Sequence, residues 1–169
     1  FGSFEAIAAA CDALVIATKS GNWNWSSRDK LTVRVSAPNV SAASISGSGD
    51  MQVGPTKGSF TGRISGSGDM TVASVDAAQL GLSISGSGDI SVGGGRCGTG
   101  TFSSSGSGDI SAGRVRCETV TVTTSGSGDM EVQATGTAAL RTSGSGDITV
   151  TGGARCTSRS SGSGTISCS

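Results

Sequence analysis

An all-β chain wound into a parallel β-helix is the fold this sequence predicts, and three observations predict it. The phrase Ser-Gly-Ser-Gly-Asp followed by an apolar residue occurs six times intact and a seventh time with Thr165 in place of the acid, the copies beginning at Ser46, Ser65, Ser85, Ser105, Ser125, Ser143 and Ser161. Successive starts lie 19, 20, 20, 20, 18 and 18 residues apart, and a period near twenty marks a solenoid whose turns bury their apolar faces only against one another. An apolar pair spaced by two follows every copy: Met51/Val53, Met70/Val72, Ile90/Val92, Ile110/Ala112, Met130/Val132, Ile148/Val150 and Ile166/Cys168. Spacing of two places both members on one face of a strand. Hydrophobic residues make up 34% of the chain and aromatics 4%, a thin supply for a globular core but enough for narrow turns whose inner rows fill one another.

The chain divides into an N-terminal capping segment with a tryptophan-bearing loop, residues 1–29, and a repeat domain, residues 30–169, of about seven to eight coils at roughly 18–20 residues each. Within the first segment, Ile7, Cys11, Leu14 and Thr18 fall on one helical face, which suits an amphipathic helix; two short strands, around Phe4 to Ala8 and Ala13 to Thr18, are the alternative. Lys19 to Asp29 is polar and turn-rich, and reads as a loop or hairpin tip. It carries Trp23 and Trp25, which cover the open end of the core or stack on a carbohydrate, and are the candidate contact residues. Leu31, Val33 and Val35 alternate with Thr32, Arg34 and Ser36, so this stretch is a strand opening a first, degenerate coil.

Each later coil repeats one plan. After the motif and the apolar pair comes a corner of variable length, such as Gly93-Gly94-Gly95 or Gly152-Gly153, and then a return strand carrying Leu80, Leu82 and Ile84 in one coil and Val120 and Val122 in another. Stacked strands lie about 4.8 Å apart, so the six intervals span roughly 29 Å, and twenty residues at about 3.3 Å give a perimeter near 66 Å before corners are deducted. That section holds one layer of inward side chains and implies no reaction chamber.

The glycines of the phrase, Gly47, Gly49, Gly66, Gly68, Gly86, Gly88, Gly106, Gly108, Gly126, Gly128, Gly144 and Gly146, form the structural turn: they supply backbone angles that other residues adopt reluctantly and let coils approach closely. In register, Asp50, Asp69, Asp89, Asp109, Asp129 and Asp147 form a column. Neighbouring charges about 4.8 Å apart repel by roughly 0.9 kcal/mol in water and about 3.5 kcal/mol at an effective dielectric of 20, so each acid needs a partner. Backbone N–H groups of the turn are favoured over arginine or a calcium column on these six aspartates. The phrase differs from the calcium-binding nonapeptide repeat in its period and in placing Asp directly after Gly. No cofactor is expected.

Twelve Lys plus Arg balance twelve Asp plus Glu, so no net field recruits nucleic acid or an anionic membrane. The longest apolar stretch, Ala6 to Ala17, contains Asp12 and falls well short of the roughly 20 residues that span a bilayer. No membrane span is expected. It lacks the basic flank of a signal peptide, so the chain reads as mature or trimmed. The five cysteines are Cys11, Cys97, Cys117, Cys156 and Cys168. Without His or a close Cys pair, small buried hydrophobes are favoured over a metal site. Cys97, Cys117 and Cys156 each follow an arginine at 12, 12 and 13 residues past a motif start and are assigned to one corner; Arg96, Arg116 and Arg155 form a matching partial row. Cys97 and Cys117, one coil apart, are within disulfide reach, and Cys168 occupies a core slot held by valine elsewhere. No catalytic residue stands out: serine is abundant, but without His there is no Ser-His-Asp set, and the short corners build no cleft for a glycan-processing enzyme.

The phrase Ile-Ser-Gly-Ser-Gly-Asp-Met/Ile-x-Val, preceded by Lys30-Leu31-Thr32-Val33-Arg34-Val35-Ser36-Ala37-Pro38, resembles the bacterial head GIN domain family grouped with auto-transporter adhesins, over Lys19 to Ser169. The resemblance implies a right-handed parallel β-helix and export, usually in a Gram-negative bacterium, to the periplasm, cell surface or exterior. It also implies a non-enzymatic, adhesin-like role, and it brings no catalytic residues. The opening from Phe4 to Leu14 is shorter than the family's strand-rich start. The expected partners are a surface glycan or protein receptor and further copies of the chain, assembled through coil ends or flanks into oligomers or filaments, because bare strand edges pair readily. A calcium-stabilised extracellular binding module is the rival reading.

Overall fold

A computed structural model describes residues 4–9, 13–18 and 37–169. The chain separates into two compact units, Phe1–Ser36 and Ala37–Ser169. In the first, β1 (Phe4–Ala9) pairs antiparallel with β2 (Ala13–Thr18), Phe4 opposite Thr18 and Ala9 opposite Ala13. The strand alternative therefore holds and the amphipathic helix through Ile7 and Leu14 does not. Val15 and Ile16 are both β-branched, a residue type that favours an extended backbone. Trp23, Trp25, Cys11 and the strand expected at Leu31 to Val35 lie outside the described residues.

The second unit is a parallel solenoid. Its long return strands are β3 (Ala42–Gly47), β5 (Thr56–Gly66), β7 (Val75–Gly86) and β9 (Gly95–Gly106), and its short ones β4 (Met51–Val53), β6 (Met70–Val72) and β8 (Ile90–Val92). β10 (Ile110–Gly126) and β11 (Met130–Thr142) run through both positions, after which β12 (Ile148–Thr151), β13 (Arg155–Ser160) and β14 (Ile166–Cys168) separate again. Every pairing in this unit is parallel, each strand lying on its counterpart one coil away. The stack makes six turns from the first motif to the seventh, fewer than the seven to eight expected. The difference includes the degenerate coil from Lys30, whose opening residues, 30–36, lie outside the described residues.

Equivalent positions of the repeat sit on one another along the stack. Met51, Met70, Ile90, Ile110, Met130, Ile148 and Ile166 form one inward column by successive register, and the members from Met70 to Ile148 are essentially inaccessible. The return strands supply two more inward columns, whose volumes compensate within each coil: Phe60 with Gly62, Leu80 with Leu82, Gly100 with Phe102, Val120 with Val122, Ala138 with Leu140. A large ring beside a glycine fills the space that two leucines fill one coil on. A Cβ on Gly100 would come 2.6 Å from the Phe102 ring, and one on Gly62 would come 2.9 Å from Leu82 Cδ2.

A further inward column on the return strands changes chemistry partway, from Ile45, Ile64 and Ile84 to Ser104, Thr124, Thr142 and Ser160. Each hydroxyl donates to the carbonyl of the second motif glycine in its own coil, Ser104 to Gly108 at 2.9 Å, Thr124 to Gly128 and Thr142 to Gly146 at 3.3 Å. A buried hydroxyl with such a partner avoids most of its desolvation penalty. Length differences are absorbed at the variable corner. Between β10 and β11 the register shifts after Ala112 and again after Cys117, which accommodates the first of the 18-residue coils.

Candidate functional site

At the motif corner the two serines and the aspartate are exposed in the stacked coils, while the second glycine and the following apolar residue are buried from the second copy to the sixth. The corner closes through backbone bonds between coils: Ser67 N–H and Gly68 N–H both donate to Gly47 O, at 2.9 and 3.1 Å, and the pair recurs on Gly66, Gly86, Gly126 and Gly144, while Gly106 O accepts from Ser127 N–H. Two physical demands select the glycines. Gly86 has φ of +137°, and a Cβ there would collide with the carbonyl oxygen of Gly66; Gly88 takes ordinary angles, but its Cβ would collide with Gly68 O.

The aspartates do form the expected column, and each carboxylate is met by a backbone N–H. The donor belongs to the next coil: Asp69 N–H donates to Asp50 Oδ1 at 3.1 Å and Asp89 N–H to Asp69 Oδ1 at 3.0 Å. Asp109 N–H donates to Asp89 Oδ1 at 2.9 Å, Asp129 N–H to Asp109 Oδ1 at 2.7 Å and Asp147 N–H to Asp129 Oδ1 at 2.8 Å. Thr165 N–H ends the ladder on Asp147 Oδ1 at 2.7 Å. The aspartate thus hands one coil to the next, and Thr165 takes part through its backbone alone. Among the described residues, no three of Cys, Asp and Glu converge on one point suited to a metal ion.

The cysteines follow their sequence assignment in part. Cys97 and Cys117 are register partners joined by a disulfide across adjacent coils, Cα atoms 4.4 Å apart, both buried. Cys156 is not in their corner: it lies over Ala138 and forms a disulfide with Cys168 inside one coil, Cα atoms 6.6 Å apart. Cys168 does sit over Val150, but it is exposed, with no described layer above it. Four of the five thiols are therefore paired, not free core hydrophobes.

The arginine row is likewise corrected. Arg96 and Arg116 stack, within the succession Lys57, Asp76, Arg96, Arg116, Gln133, whereas Arg155 lies over Thr137. Arg96 makes a two-pronged pair with Asp76, Nε to Oδ1 at 2.7 Å and Nη2 to Oδ2 at 3.0 Å. That hydrogen-bonded guanidinium holds the Asp76 carboxyl below the usual carboxylate range and raises Arg96 in turn. The pair is exposed, so water screens it and it adds little to stability.

Three further outward columns of the return strands are polar. One runs Ser59, Gln79, Thr99, Thr119, Thr137, Arg155, the next Thr61, Gly81, Thr101, Thr121, Ala139, Thr157, and the third Arg63, Ser83, Ser103, Thr123, Arg141, Arg159. This repetitive hydroxyl surface is not legible in the sequence, because single Ser and Thr residues carry no signal until register aligns them. Beside the third column a shallow, open groove of about 570 Å³ is lined by Arg141, Arg159 and the hydroxyls around them. No described helix is long and apolar enough to cross a membrane.

Comparison with known proteins agrees with this architecture. One similar solved structure is described as a putative lipid binding protein from Parabacteroides distasonis, 28% identical with a TM-score of 0.74 over 78% of this chain and 54% of that one. Another is a putative adhesin from Bacteroides fragilis, 25% identical with a TM-score of 0.75 over 79% of this chain and 62% of its own. The chain therefore spans little more than half the length of these structures. No curated protein matches it. Residues 7–154 match the family described as "Putative auto-transporter adhesin, head GIN domain", and with most of its length accounted for in this way the chain belongs to the head GIN domain family.

Proposed function

We propose that this chain is a non-enzymatic adhesion module displayed outside the cytoplasm of a Gram-negative bacterium. The observation that carries the reading is the set of in-register outward columns, Thr99, Thr119 and Thr137 beside Thr101 and Thr121, which present a rigid, repetitive polar face. Such a face suits many weak contacts made together, where avidity takes the place of one tight pocket. The family description and the neighbour described as an adhesin support the same reading. Two disulfides support export, since such bonds persist in oxidising compartments. The second neighbour, described as lipid binding, makes a lipid surface the natural comparison target.

The reading needs no cofactor and no catalytic group. Assembly of several copies through coil ends or flanks belongs to the proposal and is checked by light scattering across a wide concentration range, where a monomer at every concentration contradicts it. Adhesion itself is tested with beads carrying the purified protein on glycan-, protein- and lipid-coated surfaces under flow. Retention on one surface class above that of protein-free beads supports the reading; equal retention on all of them overturns it.

A further inference from the structure

The net charge of zero conceals a segregation of charge. Six acids occupy the motif corner, yet the three outward columns of the return strands that run from Ser59, Thr61 and Arg63 contain Arg63, Arg141, Arg155 and Arg159 and no Asp or Glu, Asp76 standing in the separate column it shares with Arg96. Arg141 and Arg159 are register partners on adjacent coils, both exposed, so two guanidinium groups project side by side from one column. The stacked aspartates each receive a backbone N–H, and Arg96 has Asp76. Among the described residues, neither Arg141 nor Arg159 takes part in an ion pair, the Arg96–Asp76 contact being the one formed there. Like charges one coil apart repel, and an anion placed between them would reverse the sign of the interaction.

The surroundings specify what kind of anion. The groove beside the pair is shallow, and Thr123, Ser125, Ser143 and Ser161 complete its rim with hydroxyls. Hydroxyls both donate to and accept from sugar hydroxyls, while the planar guanidinium fork matches a carboxylate or sulfate with two parallel hydrogen bonds. No aromatic or long apolar side chain lines the groove to enter a lipid layer.

We infer that the Arg141–Arg159 groove binds an acidic polysaccharide, its carboxylate or sulfate group lying between the two guanidinium groups and its sugar hydroxyls on the serine and threonine rim. The inference rests on the adhesion reading and names the receptor class for it. The probes are polygalacturonate, dextran sulfate, neutral dextran and phosphatidylglycerol vesicles, each offered to the full chain at low salt. The acidic polymers bind, neutral dextran does not, and binding weakens as salt screens the charges. The double substitution Arg141→Gln/Arg159→Gln lowers affinity about tenfold with an unchanged melting temperature. Arg96→Gln, which removes an arginine already paired, leaves affinity within about twofold. The lysine pair Arg141→Lys/Arg159→Lys recovers only part of the loss, because it keeps charge without the fork.

Absence of binding to either acidic polymer overturns the inference, as does an equal loss on Arg96→Gln or full rescue by lysine. Tighter binding to the vesicles than to both polymers overturns it in favour of a lipid surface. Beads that still adhere when carrying the glutamine double variant reject this groove and leave adhesion standing. Soluble polymer binding without any bead retention keeps the groove and rejects adhesion.

Discussion

The aspartate of each motif solves a problem that repetition itself creates. Stacking acids about 4.8 Å apart costs roughly 0.9 kcal/mol per neighbour in water, and a charge-assisted hydrogen bond contributes about 1.5–3 kcal/mol, so the N–H of the next aspartate more than offsets the repulsion on an exposed corner. Asp109→Ala removes the acceptor for Asp129 N–H and is expected to cost about 1–2 kcal/mol by denaturant unfolding, whereas Asp109→Asn keeps an oxygen in place and costs less than half of that. A calcium column predicts the contrary order of events: chelation lowers the melting temperature and Asn loses as much as Ala. The glycines can be tested in the same way. Gly86→Ala, with positive φ and a carbonyl oxygen in the way, is expected to cost about 2–4 kcal/mol, while Gly49→Ala, where a Cβ meets nothing within 4 Å, costs under about 1 kcal/mol. That a backbone amide would serve the acid was legible in the sequence. Which amide was not, because the donor lies 18 to 20 residues away and only register identifies it.

Among elements, the return strands show how a narrow coil keeps constant volume with unequal residues. Gly100 is expected to tolerate no methyl group: Gly100→Ala pushes on the Phe102 ring and costs about 1–3 kcal/mol, and Phe102→Leu in the same chain restores part of the loss although it is destabilising alone. A double-mutant cycle by thermal unfolding measures that coupling, and additive costs contradict the packing described. The misplaced Cys156 has its explanation at this scale as well. Counting forward from a motif start puts it beside Cys117, but the variable corner lies between the motif and the return strand. Counting back from the following motif gives the true register: Gly100, Val120, Ala138 and Cys156 each stand five residues before the next Ser-Gly-Ser-Gly, and they form one column. The same count removes Arg155 from the row of Arg96 and Arg116. The phrase therefore anchors the strand that precedes it as well as the short strand that follows, while the corner in between takes up the slack. At the other end of the chain, a short apolar stretch with matches to both periods could be read as helix or strand, and residues Phe4–Ala9 and Ala13–Thr18 took the strand form.

Taken whole, the solenoid unit Ala37–Ser169 is a set of columns, and both its stability and its surface follow from that one fact. Inside, each row is covered only by the rows next to it, so cohesion is a sum of nearest-neighbour terms. The Cys97–Cys117 disulfide adds a covalent tie between two such rows, worth about 3 kcal/mol for a loop of this length. Outside, the hydroxyl rows and the Arg141–Arg159 pair acquire meaning only through alignment, which is why architecture could be read from the phrase while the candidate binding face could not. The register is tested most directly by mass-spectrometric mapping of disulfides in the native, oxidised protein. The account predicts links between Cys97 and Cys117 and between Cys156 and Cys168; a link joining Cys156 to Cys117 or Cys97 would contradict it.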